Sequence, residues 1–131
     1  MSVYNDIQNA LNIKLATVSG LPTVYYPNHQ DTPVQGTSYV RPTLLPTRGE
    51  IYTLNGGNMH TGLYQVDIYT QLKKGTSPLL LIADAIRDTF KRTSLTQGTT
   101  VVHIQNISIS QAQRVESWWH CYVEVNYLCV A

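Results

Sequence analysis

The chain is poor in charge. Only 13% of its 131 residues are Asp, Glu, Lys or Arg, about half the ~25% of an average soluble domain. Thr, Gln, Asn and Ser take their place, and the net charge is +1. That balance leaves no electrostatic footprint for nucleic acid or anionic lipid. Long apolar runs are missing too. The longest, Leu79 to Ala83, is far short of the ~20 residues of a membrane span. The N-terminal Met1-Ser2-Val3-Tyr4-Asn5-Asp6 has neither the basic end nor the apolar core of a signal peptide. This predicts a chain that stays in the cytoplasm where it is made. Cysteine is scarce: Cys121 and Cys129 are the only two. They fall on one predicted strand, roughly 27 Å apart at ~3.3 Å per residue. A disulfide needs Cα atoms within about 7 Å, so the two cannot pair within one chain. Both lie on the apolar face and are expected to be buried, inert thiols.

Signatures of chemistry are also lacking. His29, His60, His103 and His120 show neither HxxxH nor HExxH spacing, and no Cys-x-x-Cys occurs, so no metal is expected. His120 and Cys121 are neighbours, but adjacent strand residues point to opposite faces and cannot form a thiolate–imidazole pair. Gly56-Gly57 has no following Lys-Ser or Lys-Thr and opens no helix; it reads as a turn, not a phosphate loop. Asp67, Glu116 and Glu124 lie on or near strands, and nothing in their spacing makes an acid–base pair. Lys73-Lys74 and Lys91-Arg92 are short basic pairs. Without a basic groove, Trp118, Trp119, Tyr122 and Tyr127 read as core and interface, not as a base-stacking platform. The expectation is a protein that is not an enzyme and holds no cofactor.

What is present is periodicity. Hydrophobic residues make up 43% of the chain, enough for one globular domain over residues 1–131. Residues 2–15 read as a helix, with Ser2 a candidate cap and Val3, Ile7, Ala10 and Leu11 on one face while Asn5, Asn9 and Asn12 lie elsewhere. Residues 21–38 hold three prolines and read as a long loop, with a short strand at Val24-Tyr25-Tyr26. Residues 39–45 read as a strand in which Pro42 requires an edge or a bulge. Residues 50–54 form a second short strand that pairs with 62–72 through a hairpin loop over 55–61. On 62–72, Tyr64, Val66, Ile68 and Leu72 face one way, and Gln65, Asp67 and Gln71 the other. Residues 77–92 carry the best-signalled helix: Ser77 can cap, Pro78 suits the first turn, and Leu79, Ile82, Ala83, Ile86 and Phe90 make one stripe. Asp88 can pair with Arg92, and Leu81 lands among the charges. In residues 100–110 the phase slips between Val102/Ile104 and Ile107/Ile109, which predicts a bulge near Gln105-Asn106. The last strand, about 117–129, has an apolar face from Trp119 through Cys129. Its other face carries Trp118, His120, Tyr122, Glu124 and Asn126, a polar aromatic mix that suits a protein interface. This order of elements predicts an α+β fold, a mostly antiparallel sheet with two helices packed against it.

Four stretches carry a family resemblance. They are Tyr39-Val40-Arg41-Pro42-Thr43-Leu44-Leu45-Pro46, the Gly56-Gly57 turn, Gly62-Leu63-Tyr64-Gln65-Val66-Asp67-Ile68-Tyr69 with the Gly75 turn and the helix after it, and the strand from Trp119 to Tyr127. Together with the N-terminal helix they resemble the tail terminator family of long-tailed bacteriophages, also called tail completion or minor tail proteins. The resemblance implies a virion structural protein. It would be one subunit of a six-membered ring that binds the head-proximal end of the tail tube, stops its polymerisation and offers a surface to the neck or head connector. It brings no catalytic motif.

On that reading the candidate subunit interface is Trp118, His120, Tyr122 and Glu124 with the Val40 and Pro42 edge strand. The candidate axial contacts, toward tube or connector, are Asn28, His29 and Gln30 in one loop and Asn58, Met59 and His60 in the other. A surface this poor in charge repels copies of itself weakly, which fits a homo-oligomer. Two other readings stay open: a different head–tail connector subunit, and a cytosolic ligand-binding or adaptor module using the Trp118/Tyr122 face.

Overall fold

The structure, a computed structural model, describes residues 3–26, 38–51, 58–71, 75–91, 94–97, 100–115 and 118–130. It opens with α1 (Val3–Leu15). Ile7, Ala10, Leu11 and Leu15 recur at steps of three and four and are all buried, as a period of 3.6 requires. Asn12 differs from the sequence reading. Its amide oxygen accepts a hydrogen bond from the Tyr64 hydroxyl on the sheet below. Tyr64 is 1% exposed, and a buried tyrosine hydroxyl needs a partner. Ser2, the predicted cap, lies outside the described residues.

Among the described residues seven strands follow: β1 (Thr23–Val24), β2 (Tyr39–Ile51), β3 (Asn58–Gln71), β4 (Ser94–Gln97), β5 (Thr100–Ile109), β6 (Gln113–Val115) and β7 (Trp118–Val130), with α2 (Ser77–Phe90) between β3 and β4. They form one sheet in the order β1-β2-β3-β7-β5-β4, and β6 pairs with the start of β7. Every pairing is antiparallel except the two-residue contact of β1 with β2. Both helices lie on one face, α1 against β2, β4 and β5 and α2 against β3, β5 and β7, and they touch each other. The fold is α+β, as the element order predicts.

Several local readings hold and several change. The strands predicted at 39–45 and 50–54 join into one, because the register shifts between Pro46 and Arg48 and the pairing with β3 then resumes to Ile51. Residues 58–61 are strand and not hairpin loop: Asn58 pairs with Ile51, and Met59 and His60 also pair with Val130 and Cys129 at the end of β7. In α2 the cap position is Thr76, whose side chain makes no capping bond; Ser77 is already helical. Pro78 sits in the first turn, where a missing N–H costs nothing. Leu79, Ala83, Ile86 and Phe90 are buried, whereas Leu81 is 66% exposed. Arg87 reaches both Asp84 and Asp88; Arg92 lies outside the described residues. The bulge in β5 falls between Ile104 and Asn106, and the Asn106 side chain accepts the Ile107 N–H there. β4 and β6 are too short for their periodicity to show in sequence.

Cys121, Val123, Val125, Tyr127 and Cys129 of β7 join Val66 and Ile68 of β3 and the helix stripes in one core. Gly62 lies hard against Tyr127 of this core. A Cβ there would stand 2.6 Å from the Tyr127 hydroxyl oxygen and 2.7 Å from the Leu45 carbonyl. Backbone and a ring cannot both give way, so Gly62→Ala is expected to lower stability by about 2 kcal/mol. Urea denaturation would show this as a lower midpoint with an unchanged slope.

Candidate functional site

The helices cover one face of the sheet, and among the described residues no helix covers the other, open face. Alternation along each strand decides which side chains reach that open face. From β2 come Tyr39, Arg41 and Thr43; from β3, Gln65, Asp67 and Tyr69; from β7, Trp118, His120, Tyr122 and Glu124. Register aligns them in rows: Tyr39 with Tyr69 with His120, Arg41 with Asp67 with Tyr122, and Thr43 with Gln65 with Glu124.

The first row is a continuous aromatic band. The Tyr39 and Tyr69 rings stack at 4.6 Å and 16°. Tyr69 meets the His120 ring at 4.7 Å and 32°, and Tyr122 of the second row extends the band, 6.3 Å from His120. Trp118 and Tyr25 both meet Tyr39 edge-on, at 5.3 and 5.5 Å. The Arg41 guanidinium carbon lies 5.9 Å from the Tyr39 ring centre, within cation–π range. Each aromatic pair adds about 0.5–1.5 kcal/mol beyond the area it buries. Tyr39 is 8% exposed although, among the described residues, no helix covers it.

One polar cluster anchors the band. His120 Nε2 donates to Asp67 Oδ1 at 2.9 Å, and Gln65 Nε2 donates to the same oxygen at 3.1 Å. Both His120 and Asp67 side chains are 17% exposed, so the pair is shielded but not sealed. Burial raises the Tyr69 hydroxyl above the ordinary phenol range, helped by the neighbouring Asp67 and Tyr39 and opposed by Arg41. Ser110 fixes the strand behind Tyr122: its hydroxyl accepts the Tyr122 N–H at 2.8 Å, and its own N–H donates to the Tyr122 carbonyl at 2.9 Å. A histidine–carboxylate pair is two-thirds of a hydrolytic triad. Cys121, the thiol next in sequence, is fully buried on the opposite face, so it does not complete one. The arrangement is a half-buried surface of packed rings around a polar clamp.

The sequence-predicted interface residues separate into two groups. Trp118, His120, Tyr122 and Glu124 come together on the open face. Val40 and Pro42 do not join them: Val40 is fully buried and Pro42 is buried too, so these side chains are not presented on the open face. Asn28, His29 and Gln30 lie outside the described residues. Asn58, Met59 and His60 belong to β3. Sequence reading missed Tyr39, Arg41, Asp67 and Tyr69 as site members. Tyr69 shares the parity of Gln65 and Asp67, so alternation carried part of the signal, but the rows depend on register.

A family model described as phage tail terminator protein matches residues 6–127. The chain belongs to the phage tail terminator protein family. Two solved structures show the same fold. One chain is 20% identical with a TM-score of 0.74, over 98% of this chain and 96% of that one. Another, from the virion of a native gene transfer agent (GTA) particle, is 15% identical with a TM-score of 0.61, over 99% of this chain and 92% of that one. No curated protein matches the chain. This member of the terminator family is thus a phage virion structural protein. Among the described residues no three metal-ligating side chains cluster, and no helix is long and apolar enough to cross a membrane.

The two thiols of this terminator-family chain are free and buried. Burial, and behind it the Asp67 carboxylate, push the Cys121 thiol up to about 11; burial, then Asp6, raises Cys129. The folded Cys121 keeps its proton to higher pH than the unfolded one. Its contribution to stability is therefore full below about 9 and is lost as pH rises toward about 11. Urea titrations across that window are expected to show a steeper loss in the wild type than in Cys121→Ala. A thiol reagent at about pH 8 should label the native chain at least tenfold more slowly than the unfolded one.

Proposed function

We propose that the chain is the tail terminator proper. It forms a closed ring of six copies at the head-proximal end of the tail tube. There it halts tube polymerisation and presents a surface to the head connector. Family membership over residues 6–127 is the observation that carries this reading. Three features support it. The open sheet face is aromatic, half-buried and preorganised, which is the composition of an interface core. The low charge lets copies approach without repulsion. The shielded His120–Asp67 pair is already satisfied internally, so covering it costs less than covering free charges.

In the ring, Trp118, His120, Tyr122 and Glu124 form the seam on one copy. A different patch of the next copy meets them, as a heterologous closed assembly requires. Asn28, His29, Gln30, Asn58, Met59 and His60 are the residues proposed to face tube or connector. The partners are further copies of the chain, the tail tube protein and the connector. The protein resides in the virion after assembly and in the host cytoplasm before it.

Electron microscopy of the purified protein mixed with polymerising tail tubes tests the role. Density capping one end with tubes of limited length is expected. Tubes that grow unchecked reject the reading, and density only at a head vertex would make the chain a different neck subunit. The seam is tested by Tyr122→Glu, which sets a carboxylate in the aromatic band. It should weaken self-association by about 2 kcal/mol or more while the thermal midpoint and near-ultraviolet circular dichroism stay close to wild type. Association unchanged in light scattering would remove this face from the seam.

A further inference from the structure

The long outer strand of the sheet carries an inference that is independent of tube capping. β1 covers only Tyr39 and Val40 of β2, and the Val40 carbonyl accepts the Tyr25 N–H at 2.9 Å. The backbone groups of Val40 therefore point outward, away from β3. Along a strand these groups alternate between the two edges. Pro42, Leu44 and Pro46 turn theirs outward, and Arg41, Thr43 and Leu45 turn theirs to β3. The Leu45 carbonyl fits this, since it lies 2.7 Å from where a Cβ on Gly62 of β3 would be. Among the described residues nothing pairs with the outer edge beyond Val40.

Both prolines of this stretch fall on outward positions. At 41, 43 or 45 a proline would cost a bond to β3; at 42 and 46 it costs the fold nothing. Proline has no N–H. From Pro42 to Pro46 the outer edge thus presents three carbonyls and a single N–H, that of Leu44. A regular neighbouring strand needs a donor and an acceptor at every outward residue. Directly after Pro46 the register shifts, which bends the strand away from any straight partner. At the other end of the sheet α1 packs against β4.

We propose that the outer edge of β2 is closed to strand addition, so that copies of this chain join through side chains and never by continuing one another's sheet. Exposed strand edges otherwise template open-ended pairing, and prolines and bulges are ways of preventing it.

Amide hydrogen exchange on the wild-type protein, dilute and at the highest attainable concentration, tests this. Leu44 is expected to exchange within about tenfold of the unprotected rate in both states, while Arg41, Thr43 and Leu45 are slowed by about a thousandfold or more. Slow exchange at Leu44 in either state overturns the proposal. The second readout is the double variant Pro42→Val with Pro46→Val, which restores two outward donors. Its mass by light scattering is expected to rise with concentration at least twofold beyond wild type, with binding of an amyloid dye. A folded variant whose mass follows the wild-type curve overturns the proposal. Should the variant fail to fold, exchange at Leu44 decides alone. A chain that fails to cap tubes leaves both readouts intact.

Discussion

The pairing of β7 is the constraint on which the rest depends. β7 is held by β3 through thirteen consecutive residue pairs and by β5 and β6 on its other side. Its side chains alternate without a break, so one set enters the core and the other forms the open face. A slip of one residue would exchange Cys121, Val123 and Val125 for His120, Tyr122 and Glu124 under the helices, burying a carboxylate and an imidazole in an apolar layer. The core and the candidate interface are therefore two consequences of one register. The bulge between Ile104 and Asn106 keeps β5 in step with that register, because it returns Ile107 and Ile109 to the core side after the phase breaks.

The open face is assembled from residues far apart in sequence, yet its rings already pack on one another. Tyr39, Tyr69 and His120 sit in one row across three strands, and the Asp67 carboxylate holds His120 from the neighbouring row. Ordering exposed aromatic side chains ordinarily costs conformational entropy at the moment of association. Here the rings are packed against one another before any partner arrives. The same packing explains why Tyr39 is nearly as buried as a core residue without belonging to the core. His120, Asp67 and Gln65 are bonded to one another within the chain, so a partner does not have to replace those hydrogen bonds.

Much of this was legible in sequence where period alone carries it. The stripes of α1 and α2, the two faces of β7 and the β5 bulge follow from spacing, and the structure has them. Val40 and Pro42 show where spacing stops being enough. Proline at an edge was readable, but that Val40 faces the helices could not be separated from the edge reading without the neighbouring strands. Asn58, Met59 and His60 look like loop because Gly56, Gly57 and Asn55 suggest a long turn; pairing of all three with β2, and of Met59 and His60 also with β7, draws them into strand. Asn12 is polar and falls outside the apolar spacing of its helix, yet it answers a hydroxyl fifty-two positions away. Tyr69 and Asp67 show the general limit. Their parity was visible, but the rows they form depend on which strands are neighbours, and β7 lies between β3 and β5 only after the chain has crossed over through α2.

The two sides of the assembly problem meet in this geometry. A heterologous contact either closes after a fixed number of copies or runs on as a filament. Backbone pairing between sheet edges favours the second outcome, since each added strand recreates the edge it covered. Side-chain contact across a shaped face sets a fixed angle between copies, and a fixed angle permits closure. In this chain the prolines of β2 take backbone pairing away at one sheet edge, while the aromatic rows leave a preorganised face in the middle. A protein proposed to end the growth of a tube must itself not grow. The distribution of prolines, rings and charges over this single sheet meets that requirement by removing the repeating contact and keeping the directional one.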